Sequence, residues 1–521
     1  MQETTSTERI FLSLEQPHYP MDFVGIFVLA PGPEGPLPFE HVRARLDKRS
    51  RTLPLLRRKL VTPPLGLGEE RWIQAETFTI DDHLHRAEVP APGDLRALLD
   101  TVLEVTAEPL DRGLPLWQAW HLDGYHDDRT VLLLRAHHAL IDGMGTMALH
   151  AAVFDLHPVP VDLSLRPDDI CGEPEPGLVE RALRELPDRL SRQVRTSTRL
   201  TRAVTEALPD LLVRRPLQLA AQAPPLVGRL LAGEPVELPE MPRFVPNLLD
   251  PVPRTPFNAH VDDPTKALAV ASIPLAEVKQ VRRRLRGSTV NDVLLALVTG
   301  ALRRYLLERG ELPDGPLVST LPVSVRRGRT SAATTEGNQF TTVWIDLPTH
   351  LADPWERLQA VHDSATQAKS GLTGAQSSWN VLSDVGDLLL PGVLSAAMGL
   401  SRSRVVSLLP PTLNLTISNL VGAPVPLYFA GCEVEAMHAR TIVCPPVNLF
   451  FHSITYNGVV EFGITTIRQL VEDPDELAQG LHDELALLLE AAQQLEAAEV
   501  AAGAAAARAA RPARRRKAVE R

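Results

Sequence analysis

The sequence predicts an α/β protein made of two α/β sandwich domains joined by a helical linker, and three observations lead there. A chain of 521 residues exceeds what one core fills, because single cores stop growing at ~250 to 300 residues. Residues 1–160 alternate short apolar runs with amphipathic, helix-length segments, the pattern of a sheet covered by helices. The same alternation returns near Ala267, after a stretch dense in proline and arginine. The expected units are a first domain over 1–160, a linker over 161–260, a second domain over 261–500 and an Ala/Arg tail over 501–521 read as disordered.

In order along the first unit, Phe23 to Ala30 (FVGIFVLA) is a strand and Phe39 to Asp47 a short helix. Leu95 to Thr106 is an amphipathic helix, with Leu95, Leu98, Leu99, Val102 and Val105 on one stripe. Pro115 sets up an extended entry into a strand carrying Trp117 and Trp120, both read as core residues. The apolar run Val131 to Leu134 fits a sheet interior, and it leads into Arg135-Ala136-His137-His138-Ala139-Leu140-Ile141-Asp142-Gly143 before a helix that begins near Met144. In the linker, Leu178 to Leu231 reads as broken helices bearing Arg181, Arg184, Arg189, Arg192, Arg195, Arg199 and Arg202. Such helices either pack across the two domains or lie on an anionic lipid surface.

In the second unit, Ala267 to Pro274 is a strand and Leu275 to Leu285 a helix. Thr289-Val290-Asn291-Asp292 then opens a long apolar helix, Val293 to Leu307. Strands are expected at Leu317 to Val325, Gln339 to Ile345, Leu413 to Asn419 and Asn448 to Tyr456, with a closing helix from Asp473 to about Glu499. The apolar patch Leu388 to Leu394, within Trp379 to Leu409, is too short to span a bilayer.

Composition removes several function classes. A formal net charge of -11 argues against a general nucleic-acid binder. The first residues lack the apolar centre of a signal peptide, and no run approaches the ~20 apolar residues of a membrane span. A cytoplasmic protein is expected, soluble or peripheral at an inner membrane or lipid droplet. Cys171, Cys432 and Cys444 are far apart, so neither a disulfide framework nor a zinc site is expected. Gly143-Met144-Gly145-Thr146-Met147-Ala148 matches a dinucleotide fingerprint in letters, but His137 to Asp142 intervene between strand and glycine. There is no serine-hydrolase elbow, Walker loop or H-E-x-x-H, and a shared metal on His138 and Asp142 would lack a third ligand.

The histidines carry the chemistry. Histidine takes a proton near neutral pH, and strand ends present reactive groups from a rigid scaffold. Two adjacent histidines on an extended backbone point to opposite faces, so one can face a cleft while the other is held in the core. Asp142 and Gly143 have a plainer reading as helix N-cap and turn residue.

His137-His138-Ala139-Leu140-Ile141-Asp142-Gly143 resembles the HHxxxDG motif of acyltransferases related to chloramphenicol acetyltransferase, carnitine acyltransferases and nonribosomal condensation domains. The chain more specifically resembles the bacterial wax ester synthase/diacylglycerol acyltransferase family. Matching features follow in order: Pro54-Leu55-Leu56-Arg57, Pro109-Leu110-Asp111, Pro115-Leu116-Trp117, Asn291-Asp292, Pro322-Val323-Ser324 with Arg326, Gly337-Asn338, and Asn414 to Asn419 with Gly422 and Pro424. Two motifs depart from it. Thr5 and Glu8 stand for the family's Ser-x-x-Asp, and Thr341 for a serine.

That resemblance implies two chloramphenicol-acetyltransferase-like sandwiches and transfer of a fatty acyl group from coenzyme A thioester to a diacylglycerol or long-chain alcohol. Acyl-CoA is then a co-substrate, and no cofactor is expected. His138 is the implied general base and His137 a structural partner. Asp142 is implied to hold the loop through an ion pair with Arg57 or Arg326. Gly143, Asn291, Asp292, Ser418 and Asn419 are the candidate substrate-binding residues. Asn291, or backbone N–H groups near Gly143, could donate to the oxyanion. Asn291 could equally cap its own helix. Two other readings stay open: an acyltransferase of polyketide or condensation type that depends on an acyl carrier protein, and a non-catalytic lipid-binding protein.

Overall fold

The computed structural model describes residues 2–62, 70–141, 143–160, 172–175, 177, 252–324, 340–370 and 411–509. In the first half lie β1 (Gln2–Glu3), α1 (Ser6–Leu14), β2 (Asp22–Leu29), α2 (Phe39–Thr52), β3 (Arg58–Val61), β4 (Arg71–Gln74), β5 (Leu84–Glu88), α3 (Leu95–Val105), β6 (Trp117–Tyr125), β7 (Arg129–His137) and α4 (Gly143–Val153). In the second half lie β8 (Lys266–Pro274), α5 (Leu275–Arg282), α6 (Val290–Glu308), β9 (Leu317–Ser324), β10 (Phe340–Leu347), α7 (Pro354–Ser370) and β11 (Leu415–Val421). They are followed by β12 (Tyr428–Phe429), β13 (Cys432–Arg440), β14 (Leu449–Tyr456), β15 (Val459–Ile467) and α8 (Asp475–Ala509).

Two six-stranded sheets form, in the orders β12-β13-β2-β7-β6-β5 and β10-β9-β11-β14-β15-β8, beside a small sheet β1-β4-β3. The expected α/β sandwiches are therefore present. Residues 428–440, which the sequence places in the second unit, complete the first sheet instead: β13 pairs antiparallel with β2 from Val434 opposite Leu29 to Arg440 opposite Val24. A bulge between Val434 and Ala436 breaks the period-2 alternation of this strand, which is why it escapes a pattern reading.

The two sheets meet where β13 crosses β15. A Cβ on Gly463 would lie 2.1 Å from the Ala439 carbonyl oxygen, so this contact requires glycine. One core, containing Leu295, Leu302, Phe451, Phe462 and Leu481, fills the space between the second sheet and its helices. Another, containing Phe11, Phe23, Phe27, Leu134 and Trp117, also takes in Ile454 and Tyr456 of β14.

The closing helix continues past the expected Glu499 to Ala509, as its run of alanines favours. The helix opened by Phe39 also runs longer, to Thr52, and Pro54 follows it. The linker helices of 178–231, the patch of 379–409 and residues 510–521 lie outside the described residues.

A buried charge cluster ties the halves together. Asp22, at the start of β2, accepts from Arg135 Nε of β7 at 2.5 Å and from Arg440 Nη2 of β13 at 2.5 Å, and all three residues are almost fully buried. Burial alone would raise the Asp22 carboxyl; Arg440, Arg135 and Lys266 outweigh it and hold it below the usual aspartate range. Asp22→Asn would leave two arginines facing each other in the interior, a change of ~3 to 5 kcal/mol in the destabilising direction. Chemical denaturation should show that loss, and an unchanged midpoint would contradict the role given to this cluster.

Candidate active site

The site is built on the end of β7, which lies between β2 and β6. Both histidine backbones are pinned: His137 N–H donates to the Leu116 carbonyl at 3.0 Å and His138 N–H to the Met21 carbonyl at 2.7 Å. Leu116 belongs to the Pro-Leu-Trp segment, and Trp117 Nε1 donates to the Leu56 carbonyl at 2.8 Å, so two of the sequence motifs brace the histidine strand.

The two rings have different fates. His137 is fully buried, its Nδ1 accepts from Ala139 N–H at 2.9 Å, and its Nε2 lies 3.3 Å from Glu15 Oε1. A neutral ring whose Nδ1 accepts must carry its proton on Nε2, aimed at the Glu15 carboxylate. Burial would raise Glu15, but His137 and Arg112 together hold it below the ordinary glutamate range. Arg112 completes this group with Glu15 at 3.0 Å and Glu70 at 3.1 Å. His138, by contrast, is the one residue from Val131 to Ile141 that is not buried. Its ring stacks on Phe11 at 4.6 Å and 15° and meets Phe23 edge-on at 5.9 Å.

Phe11 is positioned by a capping box at the start of α1. Thr5 accepts from Glu8 N–H, and Glu8 accepts from Thr5 N–H. The departure from Ser-x-x-Asp at these positions therefore keeps the physical device, since either pair satisfies the same orphan N–H groups.

In the second half the candidate residues separate. Asp292 forms a capping box with Thr289 and accepts from His362 Nδ1 at 2.8 Å, which makes it the anchor of α6. Thr289 is the cap, so Asn291 is released from that duty. Asn291 Oδ1 accepts from Asn419 Nδ2 at 3.2 Å, and Asn419 Oδ1 accepts from Ser453 at 3.1 Å. Asn419 alternates with Ser418 along β11, and Ser418 lies in register with His452 of β14. Arg57 sits with its guanidinium 5.0 Å from the Phe78 ring centre. Gly143 opens α4. Asp142, Arg326, Gly337 and Asn338 lie outside the described residues.

Two histidines that sequence reasoning missed face this site. His150 on α4 is edge-on to Phe27 at 5.0 Å, and burial pushes it down to about 3. His452 on β14 is pushed down to about 4 by burial and by the neighbouring charge of His138. No spacing links them to the HHxxxDG segment; only the packing of the second sheet on the first brings His452 there.

The architecture, two such sandwiches sharing strands across their junction with a histidine pair at a strand end, is a fold that solved structures share. The first condensation domain of the calcium-dependent antibiotic synthetase aligns with a TM-score of 0.53 at 13% identity, covering 94% of this chain and 96% of that one. The wax ester synthase/diacylglycerol acyltransferase of Marinobacter aquaeolei VT8 aligns with a TM-score of 0.63 at 22% identity, over 95% of this chain and 100% of that one. The wax ester synthase/diacylglycerol acyltransferase catalytic domain matches residues 5–294, and the WS/DGAT C-terminal domain residues 336–489. A Mycobacterium tuberculosis protein named as a candidate diacylglycerol O-acyltransferase is 29% identical over 506 residues, 94% of this chain and 91% of its own length. A second from that organism is 31% identical over 399 residues, 75% of this chain and 76% of its own length. The chain belongs to the wax ester synthase/diacylglycerol acyltransferase family and is an acyltransferase.

The buried histidines make stability depend on pH. Unfolded, His150 and His452 take a proton near 6.5, whereas folded they hold out to about 3 and about 4. His83 and His85 are shifted the same way by burial. The unfolded state thus binds more protons below pH ~6.5, and stability present above that pH is lost on acidification, by up to roughly 1.4 kcal/mol per pH unit for each histidine. Unfolding midpoints measured from pH 7.5 to 5 should fall, less steeply for His150→Leu; a flat profile would contradict the burial of these rings.

Proposed function

We propose that this protein transfers a fatty acyl group from an acyl-CoA thioester to the hydroxyl of a diacylglycerol or long-chain alcohol, with His138 as general base. The observation that carries the reading is the unequal treatment of the histidine pair. His137 is sequestered by Ala139 and Glu15, while His138 alone in that segment is left partly accessible. An alcohol is a poor nucleophile at neutral pH, so a neutral imidazole that accepts its proton as the C–O bond forms lowers the barrier, a contribution of ~10² to 10⁴ in rate. Ring stacking on Phe11 and the backbone bond to Met21 limit how His138 can move, which serves orientation.

In this account the acceptor O–H bond breaks toward His138, the new C–O bond forms, and the C–S bond breaks to release a thiolate. That thiolate takes the proton back from the imidazolium. No nucleophilic side chain is required, so transfer is direct within a complex of both substrates. Ser418, which is in register with His452, and the backbone of Gly143 are the proposed substrate contacts. Asn291 and Asn419, tied to each other and to Ser453, are proposed to hold the start of α6 against the sheet beside the bound substrate. Asp142 is proposed to hold the loop through an arginine. Among the described residues no helix is long and apolar enough to cross a membrane, and we propose that the lipid acceptor is met at a membrane or lipid-droplet surface.

Purified protein given labelled palmitoyl-CoA with hexadecanol or with dioleoylglycerol should form ester with at least one acceptor. His138→Ala should lower the rate by ~10² or more, the share expected of a general base. No ester from either acceptor, or an undiminished rate in His138→Ala, would overturn the proposal.

A further inference from the structure

Two buried imidazoles lie beside the proposed base. His150 and His452 are each only 7% exposed. The three rings of His138, His150 and His452 do not form a group that could hold a metal ion.

Geometry separates the roles of the two. His150 rises from α4 into an aromatic pocket of Phe27 and Phe154. His452 comes from the other half of the chain. On β14 its neighbours Phe451 and Leu449 point into the second core, whereas Ile454 and Tyr456, which share the face of His452, pack into the first. His452 therefore projects from the second sheet toward the first, beside Ser418 of β11 and close enough to His138 to feel its charge. The amide of Asn291 is differently placed. It bonds Asn419, which alternates with Ser418 and lies in register with Ser453, on the helix-bearing face of the sheet. Of the two candidates, His452 is the donor that the second half presents toward His138.

We propose that His452 is a catalytic residue that donates a hydrogen bond from its neutral imidazole to the thioester carbonyl oxygen and to the oxyanion formed there. This rests on the acyl-transfer reading above. As the hydroxyl oxygen attacks, the carbonyl π pair moves onto oxygen, and that charge develops between the His138 imidazolium and the His452 N–H. When the pair returns, the C–S bond breaks and the thiolate leaves. A neutral donor suits the position. A charged His452 would oppose protonation of His138, whereas a neutral one stabilises the oxyanion and leaves the base its affinity for the proton. Burial keeps it in that form.

The test compares wild type, His452→Leu, His452→Gln and His138→Ala in steady-state transfer of palmitoyl-CoA to the better of hexadecanol and dioleoylglycerol, alongside palmitoyl-CoA binding and thermal unfolding. His452→Leu should lower kcat on the order of 10²- to 10³-fold, the loss seen when one oxyanion donor is removed, while palmitoyl-CoA binding and the unfolding temperature stay near wild type. His452→Gln keeps an N–H donor and should recover at least tenfold of that loss. A kcat for folded His452→Leu within threefold of wild type, with His138→Ala inactive, would overturn the role of His452 and leave the acyl-transfer reading standing. Equal loss in the Leu and Gln variants would also overturn it. Inactive wild type, or active His138→Ala, would remove the reading on which the inference rests.

Discussion

The carboxylate of Asp22 is the constraint on which the rest of the molecule depends. It joins the start of β2, the histidine strand β7 and, through Arg440, a strand contributed by the opposite half of the chain. Asp22 lies directly across from His137 in the ladder, so the charge cluster and the histidine pair share one register. A one-residue slip of β7 would reverse His137 and His138 between faces and remove Arg135 from Asp22 at the same time. The cluster therefore specifies which histidine faces the junction of the two halves. Burial, and after it the Arg440 charge of this cluster, pushes Lys266 down to about 7.

From that register the site follows in layers. His137 is locked by its own turn and by Glu15, which Arg112 holds in turn. His138 emerges on the other face against Phe11, and α1 is set by its capping box. The second sheet approaches closely because Gly463 lets the Ala439 carbonyl rest against it, and Gly463 is paired in register with His452. Close sheet packing and the placement of His452 thus have one cause. Each half of the chain supplies a part that the other lacks.

Local pattern made the sandwiches, the histidine strand and most element boundaries legible, because apolar periodicity and capping residues act within a few positions. Thr289-x-x-Asp292 and Thr5-x-x-Glu8 could both have been read as capping boxes, which would have freed Asn291 from the capping role and flagged α1. What stayed hidden depends on contacts distant in sequence. Asp22 and Arg440 are separated by 418 positions, and β13 carries a bulge that blurs its alternation. His452 lies in a strand whose apolar run gives no sign of which face meets the other half. The resemblance to acyltransferases supplied the proposed base; it did not supply its neighbours.

The central claim is that a single base, with no covalent intermediate, moves the acyl group inside a complex of both substrates. Initial rates measured while both palmitoyl-CoA and the acceptor are varied test it most directly. Direct transfer requires intersecting double-reciprocal lines and no acyl adduct on the intact protein after incubation with labelled palmitoyl-CoA alone. Parallel lines together with a stoichiometric acyl-protein adduct would contradict the account.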